Sequence, residues 1–250
     1  MPRESPFDRL RVVLVHPRNP LNIGAGARAM SNFGFEHLRV VNPYELAFRE
    51  ARSAVGAASL LAKAKEYKSV KDAVADCSLV VGTSALSRRN PELRVHDPAD
   101  GAVLIRRRLA TSRVALLFGS EKRGLSNEDL SHCHWLLRIP TRETHRSMNL
   151  GQAVAVCSYE LARSPKAAAP SESFTSATAS DLERLTSLLH DVLQASGYLK
   201  VDPGNKTRER SASLADEKLR RLIRRMNLCA SDAELWLGML RQMLWKLGAK

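Results

Sequence analysis

Three short segments carry the residue types that could do chemistry. The first, HPRNPLNIGAGARAMSNFGF at residues 16–35, sets Asn22 and Arg28 among glycines and alanines. An amide and a permanent guanidinium cation suit recognition of hydroxyls and phosphates, and the small residues let a backbone or a ligand approach closely. The second, GSEKRGLSNEDL at residues 119–130, holds Glu121 in a turn bounded by Gly119 and Gly124. Such a turn can lay its amides against a flat ligand. The third, PTRETHRSMNLGQAVAVCSYEL at residues 140–161, gathers Arg142, His145 and Arg146 ahead of Ser147 and Asn149. Either Ser147 or Asn149 can cap the helix that follows. Plainer roles exist for each segment: Arg28 paired to an acid in tight helix packing, Glu121 as a solvated turn residue, the histidines as structural.

Several chemistries are excluded by detail. Gly24 and Gly26 lack the third glycine of a dinucleotide fingerprint, and the second strand ends at Asn42-Pro43 without the acid that binds a ribose. Gly119 and Gly124 have P-loop spacing, but Leu125-Ser126 stands where Lys-Ser/Thr is needed. His132 and His134 have no third ligand at a fitting distance in sequence, so no metal is expected. No Ser/His/Asp set and no paired carboxylates stand out. The four cysteines (Cys77, Cys133, Cys157, Cys229) lie far apart, as in a reduced, cytoplasmic protein. No apolar run approaches the length of a membrane span, and the charged start lacks a signal-peptide pattern.

These loops must be positioned by regular elements. Short β-branched runs at residues 11–15, 38–41, 79–81, 114–118 and 136–139 alternate with helical patterns at 22–33, 53–64, 70–76, 102–110, 127–133 and 149–163. Alternation of this kind predicts an α/β fold, a parallel sheet with helices on both faces. Ligands then bind beyond the carboxyl ends of the strands, where the three loops fall.

Residues 164–180, SPKAAAPSESFTSATAS, read as a linker. Beyond it three helices are expected: one capped by Asp181 and ended by Gly197, a second carrying Leu214, Leu219, Leu222, Ile223 and Met226, and a third capped by Ser231 or Asp232. The chain of 250 residues bears a formal charge of +13. Residues 181–250 hold thirteen basic and nine acidic residues, leaving +9 on residues 1–180. A balance this basic favours nucleic acid as a partner. Arg220, Arg221, Arg224 and Arg225 cluster on the second of these helices, either as a solvated face or as a phosphate-contacting one.

The three segments together resemble the SpoU-type RNA 2′-O-ribose methyltransferases of the SPOUT class. The motif N-x-G-x-x-x-R matches Asn22, Gly24 and Arg28, and F-G-x-E-x-x-G-L matches Phe118, Gly119, Glu121, Gly124 and Leu125. The motif S-L-N-φ is present as Ser147-Met148-Asn149-Leu150. Further stretches, VVGTSA at 80–85, SNEDLSHCH at 126–134 and KLRRL at 218–222, resemble a tRNA-modifying branch of that family.

The resemblance implies a deep trefoil knot at the C-terminal end of the sheet and a homodimer. It implies a methyltransferase domain over residues 1–164, a linker over 165–180 and an RNA-binding all-α extension over 181–250. S-adenosylmethionine would be held by Thr83, Ser84, Ala85, Gly119, Gly124, Leu125, Ile139, Ser147 and Met148. Methyl transfer to a ribose 2′-oxygen would use Arg28 to orient and polarise the ribose and phosphate, with Asn22, Glu121, Ser147 and Asn149 in support. tRNA would be contacted by Arg18, Arg28, Arg142, Arg146, Arg220, Arg221, Arg224 and Arg225. The branch implies an anticodon-loop nucleotide at position 32. The alternatives are an rRNA substrate or a catalytically silent RNA-binding relative.

Overall fold

The structure, a computed structural model, describes residues 5–43, 54–85, 93–145, 147–163, 175–199 and 206–248. Seven parallel strands form one sheet in the order β3-β2-β1-β6-β4-β7-β5. They are β1 (Leu10–Val15), β2 (Leu38–Val41), β3 (Lys65–Tyr67), β4 (Leu79–Thr83), β5 (Val95–His96), β6 (Val114–Phe118) and β7 (Trp135–Leu137). Side chains alternate between two cores. Val12, Leu14, Val81, Leu116 and Phe118 fall on one side of the sheet. Val13, Val15, Val80, Ala115 and Leu117 fall on the other. The apolar run of β6 and that of residues 12–15 in β1 follow from this two-sided burial.

On the first face lie α1 (Pro20–Asn32), α2 (Ala58–Ala62), α4 (Pro98–Leu109) and α6 (Leu150–Ala162). α3 (Val70–Val74), α5 (Asn127–Ser131) and the start of α7 (Ala179–Ala195) cover the second. Side chains at their starts decide where most of these helices begin. Asn19 caps α1 with Pro20 at its first position. Ser69 caps α3, Asp97 caps α4, Ser126 caps α5 in a capping box with Asp129, and Asn149 caps α6.

The expected elements are present with shifted ends. Strands β3 and β5 were not expected. β3 reads Lys-Glu-Tyr and β5 has two residues, so neither carries an apolar signature. The helix expected over 53–64 is the single turn and a half of α2, with Ala54 and Ala57 buried ahead of it and Ser53 outside the described residues. The linker is shorter than its composition suggests. Ser176 bridges to Cys229, Ala177 is buried and donates its N–H to Leu228, and Ala179 and Ser180 donate to the carbonyls of Cys77 and Ala75. Thr178 caps α7, and Asp181 closes the capping box from inside the helix instead of capping it.

α8 (Lys206–Arg225) begins well before Leu214, and α9 (Ala230–Lys246) begins after Cys229, which makes no side-chain cap. Leu182, Leu185, Val192, Ile223, Ala233, Leu237 and Leu240 form a third core of their own. Leu214, Leu222 and Met226 of the expected α8 face are exposed.

Charge docks this bundle onto the sheet domain. Arg220 donates to both oxygens of Glu183, to Glu128 and to the Ser131 hydroxyl. Arg224 is 2% exposed and faces Glu183 at 3.6 Å, with a long bond to the Ala179 carbonyl at 3.4 Å. Buried His132 lies between Glu128 and Glu183 at 3.5 and 3.7 Å. Two of the four arginines expected to face RNA therefore point into the protein. The carboxylates of Glu128 on α5 and Glu183 on α7 draw the guanidiniums inward. Arg221 pairs with Glu217 one turn before it, and Arg225 is exposed.

A second ion pair ties α3 to β2. Arg39 grips Asp76 through two bonds of 2.6 and 2.8 Å and also donates to the Ala73 carbonyl. Burial alone would raise the Asp76 pKa, but the hydrogen bonds and charge of Arg39 outweigh it and hold the group down to about 2.

Two outcomes follow from these pairs. A carboxylate depressed in the folded state stabilises above its unfolded pKa, and that contribution is lost as pH falls through the folded value. Asp76 is 35% exposed, so solvent screening trims its contribution to about 1–2 kcal/mol. Urea unfolding of the wild type should weaken between pH 4 and 2, and Asp76→Asn should flatten that part of the curve. Glu183→Gln leaves two buried guanidiniums short of a carboxylate and should cost about 3 kcal/mol in the same assay at pH 7. A loss within about 0.5 kcal/mol would show the cluster to be marginal.

Candidate active site

The loops after β4, β6 and β7 meet beyond the carboxyl ends of their strands and wall a cavity of about 560 Å³. That volume lies within the usual range for a small-molecule site. The loop after β6 is folded tightly on itself. Gly124 sits at a φ of +67° and donates its N–H to the Ser120 carbonyl at 2.8 Å. The backbone of Gly124 and Leu125 lies directly over Gly119, where any β-carbon would collide with it. Glycine is required at 119 by this backbone crossing, and at 124 by the left-handed conformation.

All nine residues expected to hold a cofactor line this cavity. Thr83, Ser84 and Ala85 come from the end of β4, and Gly119, Gly124 and Leu125 from the loop after β6. Ile139, Ser147 and Met148 come from the segment after β7. Thr83 spends its hydroxyl on the Leu117 carbonyl at 2.9 Å, which locks the end of β4 to β6. The Ser84 N–H is bound by the Leu137 carbonyl, tying β4 to β7.

The lining also includes Ser120, Lys122, Arg123 and Thr141, and the apolar Leu130, Leu137, Leu150 and Ala153. Sequence reasoning missed these. Lys122 and Arg123 occupy the unspecified positions between Gly119 and Gly124. Leu137 sits at the end of β7, where the rule on strand termini could have placed it.

Next to the cavity, Glu121 organises three chain segments. Its carboxylate accepts the backbone N–H of Arg18 at 3.0 Å, that of Asn19 at 3.2 Å and the Asn22 amide at 2.9 Å. Asn22 in turn accepts from the Asn149 amide at 2.9 Å. Asn149 uses its own carbonyl oxygen to cap α6 through Gly151 and Gln152. Partial burial raises the Glu121 pKa, but the Asn22 and backbone hydrogen bonds outweigh it, and the net shift is downward. It is a fixed anion and a positioning group.

Asn22, Glu121 and Asn149 are thus brought together as one hydrogen-bonded chain, and Glu121 and Ser147 both line the cavity. Arg28 is not among the lining residues. It is exposed on α1, and six helical residues separate it from Asn22, which turns it about 120° away. Arg18 and Arg142 are exposed, and Arg146 lies outside the described residues. Among the described residues no group of three or more His, Cys, Asp and Glu could hold a metal ion. His134 is taken up by structure. Its Nδ1 accepts the Val80 N–H at 3.1 Å, and burial with the nearby Arg224 and Arg108 cations lowers its pKa to about 3.

The fold and site define a parallel α/β protein with a cavity walled by three loops at the strand ends. Comparisons with known proteins narrow this class. The SpoU rRNA Methylase family profile matches residues 9–159. The tRNA (cytidine/uridine-2′-O-)-methyltransferase TrmJ of Sodalis glossinidius is 35% identical over 238 residues, covering 92% of this chain and 89% of that one. The tRNA (cytidine/uridine/adenosine-2′-O-)-methyltransferase TrmJ of Pseudomonas aeruginosa is 41% identical over 157 residues, 62% of this chain and 61% of that one. The crystal structure of TrmJ from Z. mobilis ZM4 superposes with a TM-score of 0.81 at 28% identity, over 93% of this chain and 98% of that one. The chain belongs to the SpoU methylase family.

Gly119→Ala tests the loop geometry. The obstructing atoms are backbone, so no rotamer change relieves the collision, and the substitution should cost at least about 1–3 kcal/mol in chemical unfolding. Gly238→Ala, in the interior of α9 where nothing lies within 4 Å of the added carbon, should instead raise stability by about 0.5–1 kcal/mol in the same measurement.

Proposed function

We propose that this chain transfers a methyl group from S-adenosylmethionine to a ribose 2′-hydroxyl of tRNA. The single observation that carries the reading is the convergence of three separated loops, with all nine expected cofactor residues, on one cavity of fitting size. The donor set suits the cofactor. Leu125, Leu130, Leu137, Ile139 and Met148 offer an apolar wall for a purine ring, and Ser84 and Ser147 offer hydroxyls for its polar groups. Bound there, S-adenosylmethionine supplies an electrophilic methyl group.

The chain's own residues do the rest. Glu121 fixes the start of α1 against the pocket loop, and Asn22 and Asn149 relay that order to α6. Glu121 is held as a hydrogen-bonded anion and serves to position α1. Arg28 stabilises charge developing on the ribose oxygen and its phosphate, and the hydroxyl proton passes by way of that phosphate to solvent water as the ether bond forms and the sulfur–methyl bond breaks. Because it faces away from its own pocket, it acts in the pocket of a second copy, and the working unit is a homodimer. Close packing between α1 and α6, with Gly26 against Val154 and Gly151 against Ala25, holds the two elements that present Arg28 and Asn149 in fixed register.

We also infer the deep knot expected of the family. The helical extension, with Arg225 exposed, adds to an RNA surface that includes Arg18 and Arg142. Names of relatives at 35–41% identity support tRNA over rRNA, and the anticodon loop, position 32, is the site we favour. None of the helices among the described residues is long and apolar enough to cross a membrane. We place the reaction in the cytoplasm with its tRNA.

Incubating the protein with tRNA and S-adenosylmethionine, followed by nucleoside mass spectrometry, should show a 2′-O-methylated nucleoside in the anticodon loop. Arg28→Ala should lower turnover by about 10²–10³-fold and leave cofactor affinity within about twofold. Wild-type activity on rRNA alone, or an active Arg28→Ala enzyme, would refute the reading.

A further inference from the structure

Lys122 and Arg123 sit side by side on the lip of the cavity, and both are exposed. Neither forms an ion pair among the described residues. The acids nearest in sequence are already engaged. Glu121 is bound by Arg18, Asn19 and Asn22. Glu128 is held by Arg220 and lies against His132. Asp129 closes the capping box of α5 with Ser126. Among the described residues, two adjacent cations are thus left without a counter-charge at the mouth of the cavity.

The loop that carries them is stiff. The crossing of backbone over Gly119, the Ser120–Gly124 bridge and the anchoring of Glu121 to α1 fix its shape from both ends. The Arg123 N–H also turns back to the Ser120 hydroxyl at 3.4 Å. A rigid mount lowers the entropy lost when the cations take up a ligand.

We propose that Lys122 and Arg123 form an anion clamp for the RNA phosphate beside the target ribose. This deepens the methyltransferase reading and rests on it. A sulfonium cofactor is itself cationic at its reacting end, and two cations there would oppose it. A phosphate diester on the open side of the pocket has the opposite charge. It also lies next to the hydroxyl that must be presented. Neutralising that phosphate releases its condensed counterion and leaves a characteristic dependence on salt.

The test compares the wild type with Lys122→Ala/Arg123→Ala and with the shape-conserving Lys122→Gln/Arg123→Gln, all full length. tRNA affinity is measured from 50 to 300 mM KCl, and S-adenosylmethionine affinity by calorimetry. Loss of the clamp on this one phosphate should make the log–log salt slope shallower by about 0.7–1 and weaken tRNA binding about tenfold near 150 mM salt. Cofactor affinity should stay within about twofold, and both double variants should behave alike. An unchanged salt slope overturns the clamp, and so does a loss confined to S-adenosylmethionine affinity, which would assign the pair to the cofactor carboxylate. A wild type that neither binds nor methylates tRNA refutes the proposed function itself. A methylating wild type whose variants keep its slope refutes only the clamp.

Discussion

Everything near the cavity depends on one carboxylate having enough donors to hold it. Glu121 lies about a hundred residues from Arg18, Asn19 and Asn22, yet it accepts from all three. The arrangement solves two problems at once. The first turn of a helix leaves N–H groups without partners, and the turn after β6 needs a fixed point that its glycines cannot supply. An anion at the start of α1 also meets the positive end of that helix. Through Asn22 and Asn149 the same constraint reaches the cap of α6, so three loops distant in sequence share one geometry. A neutral side chain in place of Glu121 would satisfy fewer of these donors and leave the loop free to separate from α1.

The cavity itself is shaped by what cannot be placed in it. Gly119 has no room for a β-carbon, and at Gly82 an added carbon would lie 2.9 Å from the Cys133 sulfur. Gly151 meets Ala25 at 2.7 Å in the same sense. Such positions set the distances between β4, β6 and α5 and between α1 and α6. Met148 lines the cavity where the family motif has leucine. The two have similar volume, and the wall needs bulk more than a particular shape.

What could be read in the sequence follows from which signals are local. The β-branched runs of β1 and β6, the cap at Asn149 and the clustering of small residues in α1 are local, and they led to the sheet, the helices and the pocket loops; the cap of α7 at Thr178, three residues before the expected Asp181, was missed. β3 and β5 are held by edge pairing to β2 and β7, which depends on partners far along the chain. Residues 175–180 look like linker because they are small and polar. They are ordered by backbone bonds to Cys77, Ala75 and Leu228 that composition does not reveal. The separation of Arg28 from Asn22 was visible in their spacing of six, whereas the inward turn of Arg220 and Arg224 required knowing where Glu183 and Glu128 would lie.

That last point changes what the net charge of +13 means. A sum treats every arginine as surface charge, but several are structural here. Arg9 donates to the carbonyls of Leu109 and Ala110 at the end of α4, and Arg106 to those of Glu160 and Leu161 at the end of α6. Cations at these positions satisfy orphan carbonyls and meet the negative end of the helix. Arg39, Arg220 and Arg224 are consumed by carboxylates inside the fold. Their charges are neutralised at short range and contribute little to a field felt beyond a Debye length. The attraction for a polyanion must therefore come from the remaining exposed cations. Their positions around the pocket, and not their number in the whole chain, determine where an RNA backbone comes to rest.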